Sequence, residues 1–239
     1  MSTTTKSSPA LSVPLLVGII ISAIGFAWVP QLIVQAPIEM TMGPVQKIFY
    51  FHVPCAWLLM LSVFTCAGGS IAYLFKGSEG GDRLARASAE LAVLFGLCVL
   101  VTGPLWARVA WGVYWQWDAR LTSSLLLWLI MAAYLLARRY GGPGARKLAA
   151  ALALFAAADV PLVYLSVQIW RTIHPKISVV PTLQPEMKKV FYLSSLLFVV
   201  FWGVLLALRI RLEKLRAQVG ELELDVEDAQ FAAKEIKRA

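Results

Sequence analysis

The sequence predicts an all-α membrane protein, a bundle of six transmembrane helices with both termini in the cytoplasm. Hydrophobic residues make up 59% of the 239 residues and charged residues only 15%, whereas a soluble domain carries about 25% charged residues. The mean hydropathy is +0.70. The apolar residues fall in six runs, and a hydrocarbon core takes about 20 residues per crossing. The runs lie at about 13–34, 48–75, 91–110, 122–137, 148–169 and 190–208.

The orientation follows from the basic residues. Polar or Gly/Pro-rich stretches join the runs, including 76–86 and 138–147. Most of the 22 lysines and arginines lie before the first run, in these two stretches and after the last run. Because basic residues are retained on the cytoplasmic side of a membrane, we predict cytoplasmic termini. Segments 35–47, 106–121 and 170–189 then face outward.

We divide the chain into a six-span membrane domain, 1–208, and a cytoplasmic amphipathic helical tail, 209–239. Two interpretations of the tail stay open: a solvated extension of the last span, or a docking helix for a cytoplasmic partner. Gly220 weakens either helix by up to about 1 kcal/mol. The apolar residues of the tail recur at alternating three- and four-residue steps, and this spacing forms a heptad seam. The residues of the seam are Leu212, Leu215, Val219, Leu222, Val226, Ala229, Ala233 and Ile236.

Several function classes are excluded by missing motifs. The three cysteines, Cys55, Cys66 and Cys98, lie in apolar runs, and an odd number of thiols is a poor disulfide framework. The chain has no Cys-x-x-Cys-His for covalent haem attachment and no G-x-x-x-x-G-K-[ST] of an ATPase. The net charge of +8 is attributed to cytoplasmic basic anchors rather than to nucleic-acid binding. We therefore expect neither an enzyme nor a nucleic-acid partner.

The outer segment around residues 106–122 is dense in aromatic residues. Trp and Tyr are common at membrane interfaces, but this density, interleaved with two arginines, favours a binding platform. Flat indoles suit the face of a large apolar ring, and Arg108 and Arg120 can bind carboxylates in bidentate geometry. Asp118 is expected to orient a donor or pair with an arginine rather than do acid–base chemistry. The aromatic residues are Trp106, Trp111, Tyr114, Trp115 and Trp117.

The chain has only two histidines, and both are predicted on the outer side. Pro44 is favoured at the first position of a helix, so His52 falls near the outer edge of the second span. His174 precedes Pro175, and a residue before proline favours extended backbone, so His174 leaves the fifth span at the surface. Because histidine nitrogen is a common axial ligand of haem iron, the pair predicts axial ligation of haem.

Three segments together resemble a known family. Residues 111–122, WGVYWQWDARLT, resemble the tryptophan-rich "WWD" signature of haem-handling membrane proteins. Residues 51–54 and 170–175 resemble the two flanking histidine segments. The short six-span layout is most similar to the haem exporter protein C family of the bacterial cytochrome c maturation system. Ala119 stands where some relatives carry proline.

The resemblance implies a multi-pass protein of the bacterial inner membrane that holds haem on the periplasmic side between His52 and His174. The implied cofactor is haem b, bound non-covalently and transiently, which would then pass to a periplasmic haem chaperone. The implied partners are an ATP-binding subunit, a second membrane subunit and a small membrane subunit. The residues expected to bind haem or the chaperone are Trp106, Arg108, Trp111, Gly112, Tyr114, Trp115, Trp117, Asp118, Arg120, Trp170 and Arg171.

Two other functions compete with haem delivery. An ion- or solute-coupled transporter could use Asp159, an intramembrane carboxylate, which is a functional hypothesis by default. We favour a structural role, with Asp159 hydrogen-bonded beside Pro161. A b-type haem redox subunit should place paired histidines deep inside helices, whereas His52 and His174 are predicted at the rim.

Overall fold

The computed structural model describes residues 11–175 and 179–236, and these residues form a helical bundle. Six helices are long and apolar enough to cross a membrane, which confirms the predicted number of spans. The elements are α1 (Val13–Gln35), a 3-10 turn (Pro44–Ile48), α2 (Phe49–Lys76), α3 (Glu79–Trp111), α4 (Ala119–Tyr140), α5 (Ala145–Ile169), the one-turn α6 (Val179–Thr182) and α7 (Pro185–Ile236).

The stretch 76–86, predicted as a connection, is mostly helix, so that prediction is wrong. Only Gly77 and Ser78 separate α2 from α3. Gly77 has a left-handed φ of 61°, a conformation that glycine adopts without steric cost. Ser78 caps α3, because its hydroxyl accepts the backbone N–H of Gly81 at 3.0 Å. The second predicted connection, 138–147, is likewise shortened to the few residues between α4 and α5.

Ion pairs explain why these charged stretches are helical. Arg138 of α4 forms two hydrogen bonds to Asp82 of α3, at 2.7 and 2.8 Å. Both side chains are nearly buried, at 11% and 10% exposure, and bidentate arginine–carboxylate pairs are among the strongest hydrogen bonds. Arg146 of α5 adds contacts to Asp82 at 3.0 Å and to Glu79 at 2.7 Å. The charged residues thus join three helices instead of marking loops.

Small residues allow close helix packing. A Cβ atom added at Gly69 of α2 would lie 2.5 Å from the carbonyl oxygen of Gly81 in α3, so this contact needs glycine. A Cβ at Gly25 of α1 would lie 2.3 Å from Leu197 of α7. Such small-residue contacts are typical of helix packing in membranes, where apolar burial between helices supplies little driving force.

The last helix, α7, continues through residue 209 without a break and is helical to Ile236. Its Arg209 is paired with Glu90 of α3, and the buried Glu213 is paired with Arg86 of α3 at 3.0 Å. From residue 217 to residue 230 the apolar side chains are exposed, as at Leu222 with 62%. Residues 1–10 and 237–239, and the side chains of Ala233 and Ile236, lie outside the described part.

The ends of the helices opposite the ion pairs form the region that carries both histidines. We call this region, made of segments 36–52, 106–121, 170–175 and 179–187, the histidine end. The aromatic segment there is partly helical: Trp106, Arg108 and Trp111 lie on the last turns of α3, and the connection spans only 112–118. The sequence predicted that these residues lie near one surface. Because three of them are on a helix, the helix also determines the direction of their side chains.

Candidate functional site

A cavity of about 470 Å³ lies at the histidine end. Its size falls in the range of pockets that bind small molecules and cofactors, about 300–1,000 Å³. The lining is mainly apolar and comes from α2, α3, α4, α5 and the chain around 179–187. Six of the site residues predicted from the sequence line it: His52, Trp106, Trp111, Trp115, Arg120 and His174.

His52 lies on the second turn of α2 and is 6% exposed. Its Nδ1 atom lies 2.8 Å from the hydroxyl oxygen of Thr102 on α3. The Trp106 ring lies 6.4 Å away between centroids. The imidazole is therefore held between two helices at the wall of the cavity.

His174 lies beyond α5, in an irregular segment that follows Ile169. Its Nδ1 atom lies 2.9 Å from the carbonyl oxygen of Pro175. A carbonyl only accepts, so Nδ1 carries the proton and donates, and Nε2 keeps its lone pair. Burial, with the positive charge of Arg120 as a second cause, lowers the pKa of His174 to about 4. His174 is therefore neutral near pH 7, with one nitrogen able to bind a metal.

Asp118 fastens the segment that carries His174. One carboxylate oxygen accepts the backbone N–H of Leu121 at 2.8 Å, which caps α4. The other oxygen accepts the hydroxyl of Thr172 at 2.5 Å and the backbone N–H of Ile173 at 3.1 Å. Asp118 thus joins the start of α4 to the residues just before His174, and among the described contacts its partners are donors rather than arginines.

Arg120 is the basic residue of the aromatic segment that lines the cavity. Its guanidinium donates a hydrogen bond to the backbone carbonyl of Val163 on α5. This bond uses one of the five N–H donors of the guanidinium. The Arg120 side chain therefore brings a fixed positive charge to the cavity wall, close enough to His174 to influence its pKa.

The remaining predicted residues do not line the cavity. Arg108 donates to the carbonyl of Gly112 and lies over the Tyr114 ring at 5.6 Å. Trp117 is 75% exposed and meets Trp115 edge to face at 5.7 Å. Trp170 and Arg171 are exposed as well. The predicted set thus separates into a cavity wall and an exposed aromatic rim.

Asp159 stands apart from both groups. It is 7% exposed, it does not line the cavity, and its Oδ2 atom has no hydrogen-bond partner among the described residues. The expectation that Asp159 is hydrogen-bonded beside Pro161 is therefore wrong for this oxygen. Asp159 lies one turn before Val163 on α5, so its carboxylate is one turn farther from the end of the helix than the carbonyl that accepts from Arg120.

The cavity wall also holds polar groups without partners. Gln46 is 4% exposed, and its amide atoms make no well-formed hydrogen bond within the described chain, with the Tyr50 hydroxyl as a nearby polar group. The indole N–H groups of Trp106 and Trp115 are likewise buried and unpaired there. Native buried polar groups are nearly always paired, and the described residues supply no partner for these atoms.

The sequence analysis missed Gln46 and a group of methionines. Gln46 is a polar residue at the start of an apolar run, and this was its only signal. Methionine is flexible and polarisable, so it adapts to the shape of an apolar ligand. Four of the six methionines line the cavity: Met40, Met42, Met60 and Met187.

The chain is similar in sequence to a protein family and to several of its named members. The family model for heme exporter protein C matches residues 2–230. Heme exporter protein C of Bradyrhizobium diazoefficiens is 34% identical over 195 residues, which cover 79% of this chain and 74% of that protein. Heme exporter protein C of Escherichia coli K12 is 29% identical over 202 residues, covering 79% and 80%. A cytochrome c biosynthesis ccmC-like mitochondrial protein of Marchantia polymorpha is 33% identical over 162 residues, covering 65% and 69%.

The match therefore covers nearly the whole chain, including the membrane spans, both histidines and the aromatic segment between them. Family membership implies a membrane component of a haem-delivery system rather than an enzyme by itself. From the extent of the match and the identity to the Bradyrhizobium protein, the chain belongs to the heme exporter protein C family, whose role is haem handling for cytochrome c maturation.

Proposed function

We propose that the protein holds haem b non-covalently at the periplasmic face, with His52 and His174 as axial ligands of the iron, and delivers it to a periplasmic haem chaperone. The observation that carries this proposal is the convergence of the chain's only two histidines on one cavity with four tryptophans. A pyridine haemochrome assay on the purified protein tests it. We expect non-covalent haem approaching one per chain, and a haem-free protein after haem loading would contradict the proposal.

The chemistry of the cavity suits a flat apolar ring with acidic groups. The walls are apolar and aromatic, and the Arg120 guanidinium can bind a carboxylate. The described residues contain no group of three or more His, Cys, Asp and Glu that could hold a bare metal ion. Two histidines are instead sufficient for an iron whose other ligands come from a porphyrin.

The exposed rim supports the delivery step. Met40 is 95% exposed, Trp117 75% and Tyr114 58%, all beside the cavity. Exposed apolar residues that cluster on a surface outside the membrane favour a protein partner. A chaperone that docks on this rim would meet the edge of a haem held by the cavity wall.

Trp115 and Trp117 should separate binding from delivery. Trp115→Ala removes ring area from the cavity wall, and at about 25 cal/mol per Å² and about 150–250 Å² per buried aromatic this is worth up to several kcal/mol. We therefore expect weaker haem binding, measured by titration. Trp117→Ala should leave haem affinity near native and reduce transfer to the chaperone. Trp28→Ala, on the exposed face of α1, is the matched control. Equal haem affinity in the Trp115 and Trp117 variants would contradict this division.

The periplasmic placement of the site predicts opposite labelling at the two ends of α4. Gly112 precedes this helix and Gly142 follows it, and a side chain added at either position has open space around it. The positive φ angle at each position costs such a side chain some backbone strain, equally at both sites. Gly112→Cys should react with an impermeant thiol reagent added from outside, and Gly142→Cys should react only after the membrane is opened. The three native cysteines are replaced in both variants. Labelling of both positions from one side would refute the topology.

We propose that the tail is a docking helix for a cytoplasmic partner, and that this partner is the ATP-binding subunit. The other proposed partners within the complex are a second membrane subunit and a small membrane subunit. Val219, Leu222 and Val226 are each more than half exposed, so the seam is uncovered. Truncation after Arg216 keeps the contacts of Glu213 to Arg86 and Arg209. We expect it to reduce co-purification of the ATP-binding subunit and to spare haem binding. Truncation after Gln230 is the control, and native co-purification in the shorter variant would favour the solvated extension.

The structure favours neither alternative function. A transporter would need Asp159 on a path for its solute, and Asp159 does not line the cavity. A transmembrane redox subunit would need haem sites at two depths, whereas both histidines belong to a single cavity at one end of the bundle.

A further inference from the structure

We infer that Thr102 is a positioning residue for His52, which fixes the tautomer and orientation of the imidazole so that Nε2 faces the cavity as the iron ligand. This inference rests on the proposed function of His52. It starts from a contact between two helices: the Thr102 hydroxyl on α3 lies 2.8 Å from Nδ1 of His52 on α2, fifty positions earlier in the chain.

Because the Thr102 hydroxyl has a single proton, its other contacts determine whether it donates to His52 or accepts from it. A threonine hydroxyl has one proton and two lone pairs. The Thr102 hydroxyl lies 2.6 Å from the backbone carbonyl of Cys98, one turn earlier on α3, and donates its proton there. Its oxygen then accepts from His52, so Nδ1 of His52 carries the proton and Nε2 keeps the lone pair. A ligating histidine whose second nitrogen donates to a fixed acceptor is the usual arrangement at metal sites.

The neighbouring residue fixes the ring from a second direction. A Cβ atom added at Gly103 would lie 3.3 Å from Cε1 and 4.0 Å from Nδ1 of His52. The imidazole therefore rests almost directly on the α3 backbone, with Trp106 one turn farther along. Thr102, Gly103 and Trp106 form a seat on α3 for the His52 ring, and only Thr102 supplies a hydrogen bond in that seat.

His174 shows the same pattern through different means. Its Nδ1 donates to the carbonyl of Pro175, which also leaves Nε2 free. Both histidines thus offer the same nitrogen, one because of a side-chain acceptor and the other because of a backbone acceptor. Only the acceptor of His52 can be removed by a side-chain substitution, so the test is made there.

The experiment compares Thr102→Val, which removes the hydroxyl, with Thr102→Ser, which keeps it. Thr65→Val is the matched control, because Thr65 makes the same bond to the carbonyl one turn earlier, at 2.7 Å, without a histidine partner. The first measurement is ¹⁵N NMR of the haem-free protein labelled in histidine. Only two imidazoles are present, and a His174→Gln sample assigns them. We expect Nδ1-protonated His52 in the native, Thr102→Ser and Thr65→Val proteins, and a shift toward the Nε2-protonated form in Thr102→Val.

The second measurement is haem affinity by titration of the same proteins. Loss of a partner of a metal-binding histidine typically costs about 10–100-fold in affinity, and we expect a loss of that order in Thr102→Val alone. Gly103→Ala should also weaken haem binding, since it keeps the Thr102 hydroxyl but adds a methyl group 3.3 Å from Cε1 of His52, which crowds the ring. A native tautomer or a native affinity in Thr102→Val would overturn the inference. If His52→Ala keeps the native haem spectrum, the proposed ligand role fails instead, and the nitrogen spectra still report on Thr102.

Discussion

Haem bound to the variants His52→Gly and His174→Gly is expected to show a changed Soret spectrum and a loss of affinity of about tenfold or more, which is about 1.4 kcal/mol. Each substitution removes one proposed bond to iron and leaves the aromatic walls in place. Imidazole can occupy the space of the missing side chain, so adding it should restore the native spectrum in both variants. Titration with haem, with and without imidazole, measures the effect.

Trp115→Ala is the control for this rescue. It should lower haem occupancy without changing the ligation of the haem that stays bound, and imidazole should not improve it. The double variant His52→Ala/His174→Ala provides the strongest contradiction. If it binds haem with an unchanged spectrum and still loads the chaperone, neither histidine is a ligand and the proposed site is wrong.

Hydropathy predicted the six spans because lipid replaces water as the solvent for most of this chain. It failed where charged residues are paired inside helices. Asp82 and Arg138 were predicted to lie in connections, because an isolated charge is costly in a membrane span. Their mutual pairing, nearly buried and bidentate, keeps α3 and α4 helical where the sequence predicted connections.

The part of the candidate site that depends only on the order of the membrane spans could be predicted from the sequence. His52 and His174 each sit near a helix end, so counting spans was sufficient to place them on one side. Thr102 and Gln46 could not be found in this way. Their importance depends on which face of a helix meets the cavity or the imidazole, and this is fixed by contacts between residues far apart in sequence.

Asp118 illustrates an intermediate case. The sequence suggested an orienting role, and the structure supplies the partners: the start of α4 on one side and the segment before His174 on the other. A single carboxylate therefore connects the aromatic segment with one of the two histidines. Any change there should act on haem through the position of His174 rather than through direct contact, because Asp118 does not line the cavity.

Asp118→Asn is therefore expected to reproduce much of the His174→Gly result while leaving α4 in place. Asparagine caps a helix about as well as aspartate, so the start of α4 is preserved. The amide keeps only one oxygen, and its NH2 group cannot accept from Thr172 and Ile173. Since hydrogen bonds to charged groups are worth about 1.5–3 kcal/mol each, the segment before His174 loses most of its attachment. We expect weaker haem binding and a spectrum that shifts toward that of His174→Gly.

Two further variants separate the two roles of the carboxylate. Asp118→Ala also removes the cap, so it should lower stability toward thermal unfolding by a further 0.5–2 kcal/mol or so, an effect that Asp118→Asn should not show. Thr172→Val keeps the Ile173 bond to the second oxygen but removes both the Thr172 bond to it and the acceptor of the His174 backbone N–H. It should therefore change the haem spectrum in the same direction. Native spectra in both Asp118→Asn and Thr172→Val would mean that His174 is held without Asp118, since both variants remove contacts of the segment that carries it.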